Sequence, residues 1–520
     1  MKAIDREMID KVGVSAAALM ETAGLAVADA AEELIDRVAQ NARPGVIHVV
    51  AGKGHNGADG VAAARWLLSR GRQVCVWLVA GEEALSELCR VQLTAYRNLG
   101  GRLAVDDDRL EDAAIIIDAI VGNGVRLPLA DDIAVYANAI RRAGRPVLAI
   151  DLPTGVDADS GACDEAAVHA DMTVTLGFAK VGLHQYPGRG LAGEIRVHSL
   201  SMTDGLAVRC GAACTLLTAS AMAELLSVRP AQSHKGTFGQ VGVIAGSDGM
   251  YGAARLAVLG AYRAGAGLVR YLAPAGVSSA ENAGRAEAVV IRRAVADEWS
   301  VDGIVEAAHF LSGCAAGVCG PGLGDSVAKA IGRIDWHAAA LESLGRVQAP
   351  LVFDADWLNA LATLPDRGDS WLANRGGPTV ITPHPKEFAR LTGAPVAQVQ
   401  ADRVRMAREY AGRVSVHVVL KGAGTVIADP DGAVSVNPTG NSGLATGGAG
   451  DVLAGVIAGL LAGGKTASSA ARLGVYLHGL AADLACRARQ SEESLLAGDV
   501  ADSLADAFRH LRRVRHGDTR

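Results

Sequence analysis

Two aspartates stand directly after short apolar runs in the first half of the chain. Asp118 follows residues 115–117, and Asp151 follows residues 147–150. If these runs are buried strands, each carboxylate lies at the carboxyl end of a strand, where an unpaired charge costs several kcal/mol. A monovalent cation that bridges carboxylate, amide and hydroxyl oxygens would compensate the charge, and so would backbone N–H donors from glycine turns. Lys180, after a further apolar run, either lies at the same rim beside an acid or points to solvent.

A glycine-rich segment, residues 52–60, follows the apolar run 46–50 and precedes a helical pattern. Glycines at such a turn let the backbone approach a phosphate closely, and the N-terminus of a helix supplies unsatisfied N–H groups to hold it. The spacing matches neither G-x-G-x-x-G nor the P-loop. We predict a phosphate or dinucleotide cradle here, and the alternative is a tight turn whose polar residues serve only as caps.

In the second half, two glycine loops carry a lysine and an aspartate. Lys421 stands between two strand patterns, and a lysine beside small residues lets an adenosine phosphate lie against the backbone with a point charge for its oxygens. The loop 437–451 opens into an apolar helical pattern, so its glycine N–H groups form an anion hole in which Asp451 can take a proton from a substrate hydroxyl. This arrangement suits phosphoryl transfer. The alternative is that Asp451 is an ordinary N-cap.

Three further loops follow apolar runs, at residues 246–254, 319–324 and 382–388. In the last of them, prolines on both sides of His384 stiffen its backbone, which suits a positioned contact. A zinc ligand is not expected there, because no partner histidine lies at ligand spacing. Asp354 and Asp356 either hold a substrate or satisfy loop amides.

Short apolar runs alternate with helical patterns along both halves, which indicates parallel sheets covered by helices on both faces. In such sheets, ligands bind outside the carboxyl ends of the strands, where the loops gather. The strands predicted in the first half are 46–50, 74–79, 115–117, 147–150, 172–176 and 195–197, with helices such as 60–69 and 132–143. Those predicted in the second half are 241–245, 268–272, 316–319, 351–354, 379–382, 416–420 and 425–428.

The β/α pattern weakens between residues 201 and 225 and then restarts, so we place a domain boundary near residue 210. The expected domains are residues 1–210 and 211–520. The last 50 residues are helical in pattern, and the basic segment 509–520 is expected to be a frayed, solvated end rather than a binding arm.

The composition excludes several classes of protein. At 520 residues and 50% hydrophobic content, the chain is long enough for two to four domains and too apolar to be disordered. A net charge of −6 gives no reason to expect nucleic acid, which is held mainly by clustered Lys and Arg. The chain shows neither the apolar region of a signal peptide nor an apolar run long enough to span a bilayer. We therefore expect a cytoplasmic protein without membrane contact, whose eight scattered cysteines are buried thiols.

The first half resembles the YjeF N-terminal domain family, the epimerases of hydrated NADH and NADPH (NAD(P)HX), over roughly residues 8–205. Its motifs GKGHNGADG, DAIVGNGVRLP and DLPTGVDADSG carry the resemblance. The resemblance implies a Rossmann-like domain with Asp151 and Lys180 as catalytic residues near the reacting carbon. It also implies a potassium ion near Asn56, Asp118 and Thr154. The substrate-binding residues that it implies are His55, Asn56, Gly57, Ala58, Asp59, Gly122, Asn123, Gly124, Val125, Arg126, Leu127, Pro128 and Asp151. The chain differs from the commoner N-N-G-G-D-G pattern at His55 and Ala58.

The second half resembles the YjeF C-terminal family, the ADP-dependent (S)-NAD(P)H-hydrate dehydratases of the ribokinase superfamily, over about residues 215–510. Six motifs in order carry the resemblance: GSDGMYGAARLA, GPGLG, DADWLNAL, TPHPKEF, LKGAGTVIADPDG and NPTGNSGLATGGAGDVLAG. It implies that Asp451 is the catalytic base, and that ADP is consumed because hydroxide leaves poorly until a phosphoryl group activates it. The implied contacts with the hydrated dinucleotide are Ala253, Gly322, Gly324, His384 and Asp451. The implied nucleotide-binding residues are Lys421, Gly422, Ala423, Gly424, Thr425, Gly448, Ala449 and Gly450.

Together the two resemblances imply an α/β protein with two three-layer αβα domains, the first Rossmann-like and the second ribokinase-like. They imply that the first half interconverts the R and S forms of NAD(P)HX and that the second dehydrates the S form, converting ADP to AMP and phosphate. The expected cofactors are potassium and the co-substrate ADP, with magnesium kept open, and a homo-oligomer is expected. The rival hypotheses are a ribokinase-type small-molecule kinase and a first half that serves only as a nucleotide sensor or protein-binding module.

Overall fold

Two separate β-sheets organise the chain, one in each of two units, Met1–Ala212 and Ala213–Arg520. The computed structural model describes residues 1–38, 45–105, 108–274, 290–293, 299–325, 337–364 and 366–517. Each unit is described by itself below.

The sheet of the first unit consists, in the described residues, of seven parallel strands. They are β1 (Val46–Ala51), β2 (Val74–Leu78), β3 (Arg102–Leu103), β4 (Ala113–Ala119), β5 (Val147–Ile150), β6 (Met172–Leu176) and β7 (Glu194–His198). Their spatial order is β3-β2-β1-β4-β5-β6-β7, and every neighbouring pair is parallel. The chain order reverses direction between β1 and β4, as in Rossmann folds, and ligands bind at such a switch point.

Helices cover both faces of this sheet because its strands are apolar on both sides. Ile115 and Ile117 of β4 pack into one core with helix His55–Ser69, whereas Ile116 packs into a second core with helix Asp131–Ala143. Burial on both faces explains why β4 has a continuous apolar run instead of an alternating one. The α-helices of this unit are Lys2–Glu7, Ala16–Val38, His55–Ser69, Glu87–Asn98, Asp131–Ala143, Gly188–Leu191 and Asp204–Arg209.

The described part of the second unit contains one ten-stranded sheet. Its strands are β8 (Cys214–Leu216), β9 (Gln240–Ile244), β10 (Leu268–Ala273), β11 (Val290–Arg293), β12 (Ala316–Cys319), β13 (Leu351–Phe353), β14 (Thr379–Ile381), β15 (His417–Leu420), β16 (Val426–Ala428) and β17 (Val434–Val436). The order is β11-β10-β9-β12-β13-β14-β15-β16-β17-β8, with β16 antiparallel to both of its neighbours and all other pairs parallel. The loops after β9, β12, β13, β14 and β15 therefore gather at one edge.

Both faces of the second sheet are also covered. Alternate strand residues such as Val318 and Val352 pack with helix Ala449–Ala462, which is apolar nearly all round because it is buried on all sides. On the opposite face Phe353 stacks on Trp357, with ring centroids 5.6 Å apart. The predicted α/β fold class is therefore confirmed. The α-helices of this unit are Ala219–Glu224, Tyr251–Arg263, Val301–Ser312, His337–Gly345, Ala355–Leu361, Asp369–Ala373, Pro385–Thr392, Val396–Ala401, Arg403–Val414, Ala449–Ala462, Ala467–Ala488 and Ala497–Arg515.

Helix His55–Ser69 begins earlier than the predicted range 60–69. Gly54 is its N-cap with extended backbone, so the polar residues of the glycine segment form the first helical turn. The strands β3, β8, β11 and β17 were not predicted. Each has only two to four residues, too few for a period to show.

The expectation of a frayed end from residue 509 is wrong, because helix Ala497–Arg515 continues through most of this segment. Leu511 is fully buried, and the Arg515 guanidinium donates a 2.8 Å hydrogen bond to the Leu226 carbonyl. Basic side chains in a last helical turn also interact favourably with the helix dipole. Residues 518–520 lie outside the described residues. None of the helices in the described part of the chain has the length and apolarity needed to cross a bilayer.

Candidate active sites

A cavity of about 750 Å³ lies in the first unit, where the loops after β1, β4, β5 and β6 meet. Its volume is in the range of sites that enclose small-molecule ligands and cofactors. The predicted residues that line it are His55, Asn56, Asp59, Gly122, Asn123, Gly124, Val125, Arg126, Pro128, Asp151 and Lys180. The predicted ligand site of the first half is thus brought together at the switch point of the sheet.

Asp151 and Lys180 form a buried ion pair on the wall of this cavity, with 2.5 Å between Oδ1 and Nζ. The Leu176 N–H also donates to Oδ1 at 3.3 Å, and the Asn123 N–H donates to Oδ2 at 3.0 Å. Asp151 has φ +67°, a left-handed conformation that costs a non-glycine residue about 1 kcal/mol or more. These contacts hold the carboxylate in one orientation. The expectation that Lys180 lies beside an acid is confirmed, and its catalytic role stays a prediction.

Asp118, at the end of β4, is fully buried and hydrogen-bonded to Thr154. Its Oδ1 accepts from the Thr154 hydroxyl at 2.7 Å, and its Oδ2 accepts from the Thr154 N–H at 2.8 Å. The Ile120 N–H adds a 3.3 Å bond. Burial outweighs these bonds and raises the pKa of Asp118 to about 6. The neighbouring groups therefore leave part of the charge uncompensated, and two of the three predicted potassium ligands lie in contact.

Asn56, the third predicted ligand, lies on the cavity wall next to Asp151. A methyl group on Gly122 would come within 2.9 Å of both Asn56 Oδ1 and Asp151 Oδ2, so the two side chains meet at this glycine. Asn56 Nδ2 is buried and has no hydrogen-bond partner among the described residues. A buried donor without a partner is costly, and a ligand acceptor would satisfy it.

Three predicted substrate-binding residues, Gly57, Ala58 and Leu127, are not among the described residues that line the cavity. Gly57 faces backbone, since a methyl group there would come within 1.8 Å of the Gly52 carbonyl oxygen. Ala58 is fully buried in the core beneath the helix. The methyl group of Ala58, where the chain departs from the family pattern, therefore packs in the core and does not line the cavity.

Two further carboxyl groups, Asp5 and Asp59, line the same cavity. Burial, and then the charges of Asp151 and Asp5, raise the pKa of Asp59 well above its usual range. Burial also raises the pKa of Asp5, although Lys180 and the terminal amine oppose it. Sequence reasoning missed Asp5, because an aspartate in helix Lys2–Glu7 has no spacing that ties it to β5. Carboxyl groups with different environments in one cavity suit proton transfer.

In the second unit, Lys421 follows β15 and pairs with Asp354, which follows β13. The distance from Nζ to Oδ1 is 2.7 Å, and Asp354 is fully buried. Helix Ala449–Ala462 begins at this pair, since a methyl group on Gly450 would come within 3.2 Å of Lys421 Nζ. Burial, and then the Asp354 charge, raise the pKa of Asp451 to about 7, with Lys421 opposing. A carboxyl group with this pKa can accept a proton near neutral pH.

His384 is the N-cap of helix Pro385–Thr392. Its ring Nδ1 accepts from the backbone N–H groups of Lys386 and Glu387 at 3.1 and 3.3 Å. The backbone N–H of His384 donates to Glu387 Oε2 at 2.8 Å. Its Nε2 lies 3.1 Å from Glu387 Oε1. Both ring nitrogens therefore have partners in the first helical turn. This capping role was not predicted, and the contact of His384 with substrate stays a prediction.

The glycine loops after β9 and β12 lie against each other. The Ser247 hydroxyl donates to the Gly322 carbonyl at 2.9 Å, and a methyl group on Gly322 would come within 2.9 Å of Ala253 Cβ. The Gly324 N–H donates to Asp356 Oδ2 at 2.8 Å. Three predicted substrate contacts, Ala253, Gly322 and Gly324, are thus clustered. Asp356 therefore satisfies a loop amide, which is one of the two alternatives predicted for it, and a contact with substrate stays a prediction.

Two polar residues of helix Ala467–Ala488 lie under the second site and were missed by sequence reasoning. Asp483 accepts hydrogen bonds from the Gly440 N–H and Asn441 Nδ2, each at 3.0 Å, and so fixes the glycine loop of residues 437–451. His478 is buried, its Nε2 has no partner among the described residues, and burial lowers its pKa to about 4. Both lie within the continuous helical pattern of residues 467–488, away from the strand ends and glycine loops that the sequence analysis singled out.

The described residues contain no group of three or more His, Cys, Asp or Glu side chains that could hold a metal ion. This finding does not bear on the predicted potassium site, which has a single carboxylate, that of Asp118, together with one amide and one hydroxyl oxygen. All eight cysteines are free thiols, as expected, but only Cys75, Cys89 and Cys319 are buried and the other five are half-buried.

Comparisons with known proteins match both halves of the chain. A family model described as YjeF-related protein N-terminus matches residues 16–182, and one described as NAD(P)H-hydrate dehydratase matches residues 241–505. The chain is 38% identical to the bifunctional NAD(P)H-hydrate repair enzyme of Moorella thermoacetica, over 98% of this chain and 96% of that protein. It is 36% identical to that of Thermofilum pendens, over 98% and 95%. Among solved structures, the ADP/ATP-dependent NAD(P)H-hydrate dehydratase of Bacillus subtilis, co-crystallised with ATP and Mg²⁺, is 35% identical. The match covers 57% of this chain and 98% of that one, with a TM-score of 0.48.

Proposed function

The chain belongs to the family of bifunctional NAD(P)H-hydrate repair enzymes, with both epimerase and dehydratase activity, and from this membership we propose which groups perform each reaction. We assign dehydration of the S epimer, with ADP as co-substrate, to the unit Ala213–Arg520. The observation that carries this assignment is Asp451, whose pKa of about 7 suits a base and which stands at a helix start beside the Lys421–Asp354 pair.

In the proposed dehydration, Asp451 takes the proton of the 6-hydroxyl group while this oxygen attacks the terminal phosphorus of ADP, and AMP leaves. The ring then loses phosphate from carbon 6 and a proton from carbon 5, which restores the double bond. Phosphate leaves far more readily than hydroxide, and this difference is the reason for consuming ADP. The Lys421 ammonium and the N–H groups at the helix start would stabilise the charge on the transferring phosphoryl group. A magnesium ion, when bound with ADP, would screen the negative charge of the phosphates.

We assign epimerisation to the cavity of the unit Met1–Ala212. In this proposal Asp151 and Lys180 deliver the proton with which the 6-hydroxyl group leaves as water. The ring nitrogen supplies an electron pair to carbon 6 as the C–O bond breaks. Addition of water to the opposite face then inverts the centre. The proposal is supported by the buried ion pair on the cavity wall and by the raised pKa of Asp59 in the same cavity.

A potassium ion near Asp118, Thr154 and Asn56 is part of this proposal. Asp118 and Thr154 would hold the ion through their oxygens, and it would supply positive charge to the buried carboxylate. Two observations support it: burial raises the pKa of Asp118, and the donors are all oxygen atoms, which suit a hard cation.

The full chain, given mixed hydrate epimers, tests the proposal through the absorbance of the NADH or NADPH formed. Complete conversion is expected with ADP, and only the spontaneous background without it. Conversion that is independent of ADP would contradict the nucleotide part of the proposal. A phosphorylated small-molecule product in place of NADH would favour the kinase hypothesis.

A further inference from the structure

Arg403 is a buried cation beneath the loop of residues 421–425. It is the first residue of helix Arg403–Val414 and is 7% exposed. Its guanidinium donates to three carbonyl groups at the base of the loop. These bonds are Nη1 to the Ala423 oxygen at 2.8 Å, Nη2 to the Leu420 oxygen at 2.8 Å, and Nη2 to the Lys421 oxygen at 3.1 Å. One side chain therefore fixes most of the loop from below.

The charge of Arg403 has only carbonyl dipoles as partners in the described part of the chain. The neighbouring carboxylate, Asp402, pairs instead with Arg405, at 2.9 Å. Arg403 Nε is buried without a hydrogen-bond partner among the described residues. Burial lowers the pKa of the guanidinium to about 10, so it keeps its charge at neutral pH. A buried charge without a counter-charge is costly, and an anion bound on the other side of the loop would supply that counter-charge.

The peptide planes of the loop set the direction from which an anion would come. The carbonyl groups of Lys421 and Ala423 point toward Arg403, so the N–H groups in the same two planes, those of Gly422 and Gly424, are directed the opposite way. Gly422 has φ +138°, and a methyl group on it would come within 3.0 Å of the guanidinium. The loop thus keeps its carbonyl side on Arg403 and turns N–H groups to the other side, as anion-binding loops do.

We propose that Arg403 is a positioning residue for the nucleotide, acting through the loop of residues 421–425 and contributing a second positive charge beneath the phosphates in addition to Lys421. This inference rests on the proposed use of ADP. It predicts that loss of Arg403 weakens nucleotide binding while the chemistry at Asp451 proceeds once the site is saturated.

Arg375 offers a matched control in the same unit. It is also buried, donates to three carbonyl groups, and has its pKa lowered by burial to about 10. Its partners precede β13 and β14, at the edge of the sheet opposite to the loops of the site. Removal of Arg375 therefore breaks the same kind of hydrogen bonds within this unit, but it does not affect the loop of residues 421–425.

The experiment compares Arg403→Met, Arg403→Lys and Arg375→Met with the wild-type chain. The readouts are KM for ADP, KM for the S hydrate, kcat for dehydration, and the rise in Tm caused by ADP. For Arg403→Met we expect KM for ADP to rise about tenfold or more, the usual scale for a lost hydrogen bond to a charged group, with kcat changed by less than about threefold. Arg403→Lys keeps the charge without the fork and should fall between. Arg375→Met should lower Tm and leave KM for ADP unchanged.

The outcomes separate this inference from the function on which it rests. A wild-type chain that shows neither saturation by ADP nor a rise in Tm with ADP would contradict the use of ADP itself. A wild-type chain that binds ADP, with Arg403 variants that bind it equally well, would overturn the inference alone. If Arg403→Met does not fold, Arg403→Lys decides, and a KM for ADP equal to that of the wild type would overturn the inference.

Discussion

The Asp451 carboxyl group is half-buried near the fully buried Asp354, and loss of solvent together with the Asp354 charge raises its pKa to about 7. A base acts only when it is ionised, so the competent fraction of the enzyme grows as pH rises through this value. We expect the rate of dehydration at saturating ADP to increase with pH up to about 7 and to level off above it. Initial rates measured between about pH 5.5 and about pH 8.5 check this. A rate that falls over this range would contradict the assignment.

Asp451→Asn removes the base and keeps the shape of the side chain. Dehydration should fall by a factor of order 10² to 10⁴, while nucleotide affinity is kept. A raised pKa means that the folded state binds more protons than the unfolded state between the usual aspartate value and about pH 7, so stability declines as pH rises through this window. The variant should therefore have a higher Tm than the wild type above about pH 7.

The control for this variant is Asp431→Asn, the same chemical change in an exposed turn of the same unit. It should leave both the rate and the pH dependence of Tm unchanged. Dehydration by Asp451→Asn within about threefold of the wild-type rate would exclude Asp451 as the base.

At the residue scale, the sequence was sufficient to place Asp118, Asp151 and Asp354 at strand ends, because an aspartate after a continuous apolar run has few other positions. It did not show their partners. The Lys421–Asp354 pair joins residues 67 positions apart, and the Arg403 bonds join a helix start to a loop about 20 positions away. Such pairs depend on the strand order, which spacing along the chain does not encode.

At the scale of the element, helix Pro385–Thr392 depends on His384 for its first turn. Loss of an N-cap side chain costs about 1 kcal/mol, and asparagine is among the best replacements. His384→Ala should lower Tm, and His384→Asn should restore it. KM for the S hydrate in the restored variant then tests the predicted substrate contact separately. A wild-type KM in His384→Asn would limit His384 to capping.

The predicted potassium site lies where β4 and β5 end. If potassium binds near Asp118 and Thr154, potassium chloride should raise Tm of the full chain more than choline chloride at equal ionic strength, because a ligand that binds only the folded state stabilises it. Asp118→Asn and Thr154→Val should each remove the difference. An equal effect of both salts on the wild-type chain would contradict the cation site.

The elements themselves were predictable where both faces of a strand are buried, because such strands must be continuously apolar. Val147–Ile150 and Met172–Leu176 agree with their predicted bounds for this reason. The pattern failed where burial does not set the sequence. The two-residue strand Arg102–Leu103 is exposed or half-buried, and the basic last turns of Ala497–Arg515 resemble a solvated tail although Leu511 anchors them.

At the scale of the whole molecule, two activities share one chain, and their order makes a kinetic prediction. Hydration of NADH or NADPH at carbon 6 gives two epimers, of which only the S form is the proposed dehydratase substrate. The R form therefore reaches the second site only through the first, apart from its slow spontaneous equilibration. A substitution in the first unit should therefore slow the conversion of the R epimer and leave the conversion of the S epimer unchanged.

Asp151→Asn and Lys180→Ala test this directly. With ADP, either variant should convert the S epimer at the wild-type rate and leave the R epimer stranded, because the ion pair on the cavity wall is lost. Either change leaves the other charge of the pair buried without its partner, which costs about 3–5 kcal/mol. Asp151→Asn keeps the shape of the side chain and an oxygen that can accept from Lys180, so it is the milder probe. Lys11→Ala breaks an exposed pair with Glu7 in the same unit, and as the control it should convert both epimers normally. Separate progress curves for the purified epimers provide the measurement. Equal loss on both epimers would instead indicate a single shared site, whereas normal conversion of the R form would place epimerisation elsewhere than at Asp151.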